Sequence, residues 1–223
     1  MLHTVIFIGR SGCGKGTQAD LLKDRISRLD EKKRQILYVE TGERFRQFIR
    51  GESFSSKLSK IAYEHDERQP DFLACSMWTA MLLNELEEDM HLVFDGAPRA
   101  LSEAEMLTSA LNFYKREQPT VIYLNVSRDW SERRLLSRGR TDDLNLAKID
   151  KRLDWFDRDV MPAVEYFRHN PYYRFFDVNG EQPIEVVAMP SLCAITDAAA
   201  SSLRWPWQRG SFESMDARDA CSL

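Results

Sequence analysis

Residues 9–17, Gly9-Arg10-Ser11-Gly12-Cys13-Gly14-Lys15-Gly16-Thr17, combine closely spaced glycines with one lysine and a hydroxyl. Such a run can turn successive backbone N–H groups inward around an anion, because side chains do not fill the hollow. A helix beginning near residues 14–17 adds its unsatisfied N–H donors and the positive end of its dipole. Lys15 then reaches over β- and γ-phosphates, and Thr17 contacts phosphate or a magnesium shell. Gly16 separates Lys15 from Thr17, whereas the usual pattern has Ser or Thr directly after the lysine. The loop alone implies nucleotide phosphate binding and leaves phosphotransferase, hydrolase and switch protein open. Cys13 has nothing nearby in sequence that reads as its base, so no thiol chemistry is assigned to it.

The elements that must position this loop follow from hydrophobic periodicity. Val5-Ile6-Phe7-Ile8 is a continuous apolar run ending at Gly9, the pattern of a strand buried on both faces. The next helix places Leu22, Ile26 and Leu29 on one face. This strand–loop–helix order disfavours a plain glycine-rich turn. Further strands are expected at 36–39, 91–94, 120–126 and 173–178. Residues 42–67 read as helical, with Phe45, Phe48 and Ile49 as an apolar stripe and Gly51 as an interruption. Helices are also expected over 71–88, from Phe72 through Trp78, Met81 and Leu82 to Leu86, and over 102–116. Ile149, Leu153, Phe156, Val160, Val164 and Phe167 recur at helical spacing after a charged stretch. Strands alternating with helices make a doubly wound parallel sheet. The long connection between the second and third strands carries a small helical subdomain.

Composition narrows the class. The 223 residues are 43% hydrophobic and 30% charged, which is globular, and suit one main domain with insertions. The net charge of −4 is the wrong sign for a bulk nucleic-acid binder. No run approaches the roughly 18 apolar residues of a membrane span. The first residues lack a charged leader and enter a strand pattern directly, so a cytoplasmic location is expected. Cys13, Cys75, Cys193 and Cys221 are far apart, which fits a reducing compartment and neither a disulfide framework nor a zinc site. Residues 194–223, with a small-residue run and Trp205-Pro206-Trp207, carry neither helix nor strand period and read as a poorly specified tail.

Several separated segments resemble the adenylate kinase branch of the nucleoside monophosphate kinases, which also contains the uridylate–cytidylate kinases. They are Gly14-Lys15-Gly16-Thr17, Thr41-Gly42-Glu43-Arg44-Phe45-Arg46, Asp95-Gly96-Ala97-Pro98-Arg99 and Arg134-Leu135-Leu136-Ser137-Arg138-Gly139. The last is followed by Arg140-Thr141-Asp142-Asp143 and by Arg152-Leu153, and the match spans roughly residues 4–190. The resemblance implies a P-loop nucleoside triphosphate hydrolase fold, with a five-stranded parallel sheet flanked by helices. It further implies a kinase domain over 1–193, with core segments 1–40, 88–133 and 144–193. A monophosphate-binding insertion would occupy 41–87 and a very short lid 134–143. The implied activity is reversible transfer of the γ-phosphoryl of ATP to a nucleoside monophosphate, with Mg2+ bound alongside ATP, by a monomer of the short-lid form.

Residue by residue, the resemblance assigns the donor phosphates to Gly12, Cys13, Gly14, Lys15, Gly16 and Thr17. Arg134 and Arg138 match donor-contacting arginines, with Arg134 stacked on the donor adenine. The stretch 179–183, including Gln182, lies near that base. Arg46 and Arg99 grip the acceptor phosphate, beside Gly42 and Gly96, while Thr41 lies against the acceptor base. Arg140 and Arg152 reach toward both phosphates as the lid shuts, and Asp95 joins Thr17 near the magnesium shell. Physical chemistry asks for the same inventory. Two nucleotides bring many negative charges together, and positioned guanidiniums neutralise them with rigid hydrogen-bond forks. Little acid–base chemistry is needed, which suits four histidines read as surface or packing residues.

The sequence departs from the family pattern in three places. Only Gly139 separates Arg138 from Arg140, so the lid has no room for a zinc knuckle. Asp142-Asp143 stands one residue farther from Arg152 than the pattern has it. Glu103 occupies the position where adenylate kinases usually carry a glutamine that reads the acceptor base. An ionised carboxylate only accepts hydrogen bonds, which favours amino-bearing bases over uracil and ranks AMP first with CMP behind it. Alternatively Glu103 points to solvent. A small-metabolite kinase and a low-turnover nucleotide-binding scaffold are the competing functions; Arg46 and Arg99 count against the first and Lys15 against the second.

Overall fold

The computed structural model describes residues 1–65, 67–139 and 145–188. Five strands, β1 (Thr4–Gly9), β2 (Ile36–Glu40), β3 (His91–Asp95), β4 (Thr120–Asn125) and β5 (Arg174–Asn179), form one sheet in the order β2-β3-β1-β4-β5. Every neighbouring pair is parallel. Parallel strands need crossovers that cover both faces, so their sequences are apolar throughout. Ile6, Ile8, Leu92, Phe94, Val121 and Tyr123 point into the core on one face, and Val5, Phe7, Val93, Ile122 and Leu124 into the core on the other.

Helix α1 (Lys15–Leu29) returns from β1 and buries Ala19, Leu22 and Ile26. Leu29, expected on the same face, is 43% exposed at the last position of the helix. Between β2 and β3 come α2 (Thr41–Phe48), α3 (Phe54–Glu64) and α4 (Asp71–Glu85). The expected single helical stretch over 42–67 is therefore two helices. Ser53 starts the second by accepting from the Ser56 N–H, and the Gly51 Cβ position is crowded by Ser56. In α4 Trp78, Met81 and Leu82 are buried, but Phe72 in its first turn is 72% exposed. Helix α5 (Leu101–Phe113) joins β3 to β4.

After β4, α6 (Arg128–Arg138) ends at Gly139 in the left-handed conformation. Helix α7 (Leu146–Trp155) continues through a π-helical turn, Phe156–Val160, into α8 (Met161–His169). All six residues of the apolar stripe from Ile149 to Phe167 are buried. The π turn inside it was not legible, because a widened turn leaves an apolar spacing of three or four residues almost unchanged. Residues 189–223 and 140–144 lie outside the described residues, and so do the expectations for the tail, Arg140, Asp142 and Asp143. Among the described residues no helix is long and apolar enough to cross a membrane.

At the far end of the sheet from the glycine loop, His91 is fully buried at the start of β3. Its Nδ1 accepts the His3 backbone N–H at 3.0 Å, and its Nε2 faces Asp30 at 3.5 Å. Asp30 also binds Arg34, which holds its carboxyl well below the usual carboxylate range. Burial, outweighing Asp30, pushes the His91 pKa down from about 6.5. Below that pH the unfolded chain takes up a proton that the fold resists, so stability falls as pH drops through this window. Asp30 stays ionised there in both states and does not contribute. Melting temperature should fall between pH 7.5 and 5.5, and His91→Asn should flatten the slope; an unchanged slope in the variant would contradict this account.

Candidate active site

The site lies at the carboxyl ends of the strands. There β1 sits between β3 and β4, and the chain leaves β1 and β4 toward opposite sides of the sheet. Open α/β sheets bind ligands at such a crevice. Gly14 caps α1 with φ +98°, a conformation that side chains resist, while its Cβ position meets nothing. Glycine is there for the turn of the backbone. Lys15 Nζ donates to the Gly9 and Arg10 carbonyls, each at 2.9 Å, and lies 3.7 Å from Cys13 Sγ. The lysine thus arches back over the loop it belongs to. Cys13 is buried, and burial, only partly opposed by Lys15, raises its pKa; the thiol stays protonated and is no nucleophile. Thr17 stands exposed in the first turn of α1.

The register Phe7↔Asp95 sets the end of β3 beside this loop. Asp95 Oδ2 lies 3.5 Å from the Cβ position of Gly16, and it accepts a hydrogen bond from Tyr38 Oη at 2.9 Å. Gly96 follows with φ +83°, and a Cβ there would meet Arg99 Nη2 at 3.0 Å and Thr41 Oγ1 at 3.3 Å. Both side chains converge on the Gly96 carbonyl, which accepts from Arg99 Nε at 2.6 Å and from Thr41 Oγ1 at 2.9 Å. Gly42 is next to Arg46, whose Nη1 is 3.5 Å from its Cβ position. Arg46 is held by Glu43 at 2.7 Å and by Glu40 at 3.4 Å. An unbroken set of contacts therefore runs from the glycine loop through Asp95 and Gly96 to Thr41, Arg99 and Arg46.

Glu103 does not point to solvent, which corrects that alternative: it is 1% exposed. It sits in the first turn of α5, just after the loop that carries Arg99, and Arg68 Nη2 reaches its Oε1 at 3.4 Å. Burial raises its pKa, while Arg99 and Arg68 work against that rise. Arg134 and Arg138 are exposed on α6, one turn apart, and Arg134 lies over the Trp130 ring at 5.3 Å. Arg152 is half-buried on α7. The 179–183 stretch packs on the loop: Gly180 N–H donates to Asn125, and its Cβ position is 3.7 Å from the Cys13 carbonyl. Gln182 is exposed beside it.

Three contributors escaped the sequence reading. Tyr38 holds Asp95, Arg68 meets Glu103, and Arg10 ties the loop to the π turn. Arg10 Nε donates to the Val126 carbonyl at 3.1 Å, its guanidinium pairs with Asp157, and its plane lies 4.5 Å over Phe156. Arg10 was visible within the loop, but nothing in sequence marks its partner across more than a hundred residues.

A glycine loop between β1 and α1 of a five-stranded parallel sheet defines a P-loop nucleotide-binding protein. The family description "Adenylate kinase" matches residues 7–172. Similar chains include adenylate kinases of Flavobacterium psychrophilum, 31% identical over 84% of this chain and 94% of the relative, and of Corynebacterium urealyticum, 30% identical over 86% and 98%. The adenylate kinase of Parabacteroides distasonis is 32% identical over 75% of this chain and 84% of its own. The chain belongs to the adenylate kinase family.

Gly96 offers a direct check on the expectation that Arg99 and Thr41 serve the monophosphate. Gly96→Ala combines a disfavoured φ, costing about 1–2 kcal/mol, with a methyl pressed on Arg99 and Thr41. It should raise the KM for the monophosphate several-fold more than the KM for ATP. Equal shifts in both would contradict the placement.

Proposed function

We propose that this chain catalyses reversible transfer of the γ-phosphoryl of ATP to AMP, yielding two ADP. The observation that carries this reading is the contact path from the Lys15 loop through Asp95 and Gly96 to Arg99 and Arg46. That path supports a polyphosphate cradle and a second cationic site together at the carboxyl ends of the strands. Phosphoryl transfer needs the attacking and leaving oxygens in line and the equatorial charge neutralised, with little covalent help from protein groups. Lys15 and the N–H groups of residues 12–17 bind the donor phosphates. Arg46 and Arg99 orient the acceptor phosphate, and Arg138, Arg140 and Arg152 close over the transferring group and exclude water. Arg134 and the backbone near Gln182 hold the donor base, for which Trp130 pre-orders the arginine plane.

The residues present fit Mg2+ bound with ATP. Asp95 reaches the first turn of α1 near Thr17, and no group of three or more metal-binding side chains occurs among the described residues. That suits an ion held mainly by phosphates and water, with Asp95 and Thr17 in its shell. The ion supplies further charge neutralisation on the phosphate oxygens. Residues 41–87 would act as the monophosphate-binding unit, 134–143 as the short lid and 1–193 as the catalytic domain, working as a cytoplasmic monomer without membrane or nucleic-acid partners. The −4 charge and isolated cysteines support that setting.

A coupled assay of ATP with AMP, CMP, UMP, GMP and dTMP at matched concentration tests the reading. AMP should be the best acceptor, CMP next and UMP clearly poorer. Lys15→Met should lower kcat/KM by about 10²-fold or more, the scale of losing one charge-stabilising donor, with the fold intact. A fully active Lys15→Met enzyme would overturn the proposal. Ending the chain at residue 193 should leave most activity, an expectation lost if the shortened chain fails to fold.

A further inference from the structure

Arg68 stands between α3 and α4, outside every segment that carried the family resemblance. Its Nη2 touches three groups: Glu103 Oε1 at 3.4 Å, the Arg99 carbonyl at 3.5 Å and Asp71 Oδ1 at 2.5 Å. Its Nε lies 3.9 Å from Asp159 on the π turn. It also borders a cleft of about 440 Å3 on the side of α7, lined by His65, Trp155 and Arg158 and by neither Glu103 nor Arg99. Arg68 is 26% exposed in front of a Glu103 that is 1% exposed. Because one guanidinium nitrogen touches both Glu103 and the Arg99 carbonyl, a base seated beside Arg99 and Glu103 would meet the guanidinium as well as the carboxylate.

Glu103 by itself cannot complete the recognition of adenine. Its carboxylate accepts from the exocyclic amine but has nothing to give to N1, which is an acceptor. A guanidinium next to a carboxylate presents a donor and an acceptor side by side, and the adenine edge presents their complements in N1 and the N6 amine. Arg99 lies just before α5 and Glu103 in its first turn, and Arg68 touches both, so the guanidinium–carboxylate pair stands next to the proposed phosphate grip. Asp71, Glu103 and the Arg99 carbonyl fix the plane of the guanidinium. A guanidinium pinned on one side gives up less rotamer freedom when a ligand takes the other.

We infer that Arg68 is a specificity-determining residue that donates a hydrogen bond to N1 of the acceptor adenine while Glu103 accepts from its amine. This rests on the proposed AMP kinase activity and adds the residue that reads the base. Cytosine offers the same acceptor-and-amine order at N3 and N4, which accounts for CMP as second choice. Uracil offers the reverse order, and the pair opposes it at both positions.

The test uses the full chain with saturating ATP and compares AMP with 1-deaza-AMP, which lacks the N1 acceptor but keeps the amine. A hydrogen bond to a charged group contributes about 1.5–3 kcal/mol, so wild-type kcat/KM should favour AMP by roughly 10- to 100-fold. Arg68→Met should lower turnover of AMP to the level of the analogue and shrink the gap to about twofold, with KM for ATP unchanged. Arg68→Lys should restore part of the gap. A purely structural role would lower both substrates together and leave their ratio as it was. Equal use of AMP and 1-deaza-AMP by the wild type overturns the inference without any variant, as does an undiminished gap in Arg68→Met. A chain that phosphorylates no monophosphate overturns the kinase reading itself, so the two failures are distinct. Should Arg68→Met fail to fold, the wild-type ratio and the Arg68→Lys ratio decide the matter.

Discussion

The pairing of β1 with β3, Phe7 opposite Asp95, is the constraint from which the site follows. It fixes the height at which both strands end, and so places the glycine loop against Asp95 and Gly96. A shift of that register by one residue would exchange the two buried faces and cost the core before it cost the site. Because both faces are covered, as Phe7 and Phe94 show by being almost wholly buried on opposite sides, the register is held by packing as well as by the backbone ladder.

The cations at this edge are held by the protein's own oxygens. Lys15 binds loop carbonyls, Arg46 binds Glu43 and Glu40, Arg10 pairs with Asp157, and Arg68 pairs with Asp71 and Glu103. These contacts cost side-chain entropy before any substrate is engaged, so less remains to be lost on binding. They are mostly half-exposed, and exposed pairs contribute little to stability. Their effect is placement. The π turn takes part on both sides, since Asp157 meets the glycine loop through Arg10 while Asp159 faces Arg68 between α3 and α4.

The parallel strands, the helices alternating with them and the glycine loop were legible in the sequence because each rests on local signals, whereas the order of the strands within the sheet came only from the fold. Five apolar runs gave the strands, and a glycine-rich segment between the first run and an amphipathic helix gave the strand–loop–helix unit. Leu29 and Phe72 read as core yet lie exposed, since periodicity places a residue on a helix face but not relative to the helix end. The π turn escaped because its apolar spacing mimics an ordinary helix. Arg68, Tyr38 and Arg10 escaped for another reason: each acts through a partner distant in the chain, and no pattern of neighbouring residue types encodes such a meeting. Glu103 stood between these cases, singled out by position while its burial and its guanidinium partner came only from the fold.

The central claim is that two phosphate-bearing ligands meet end to end between the Lys15 loop and Arg99. Calorimetric titration with two adenosines joined through one oligophosphate bridge tests it most directly. The account predicts one molecule bound per chain, far more tightly than ATP, with the advantage lost in Arg99→Met. Two molecules per chain, or an affinity no better than that of ATP alone, would contradict it.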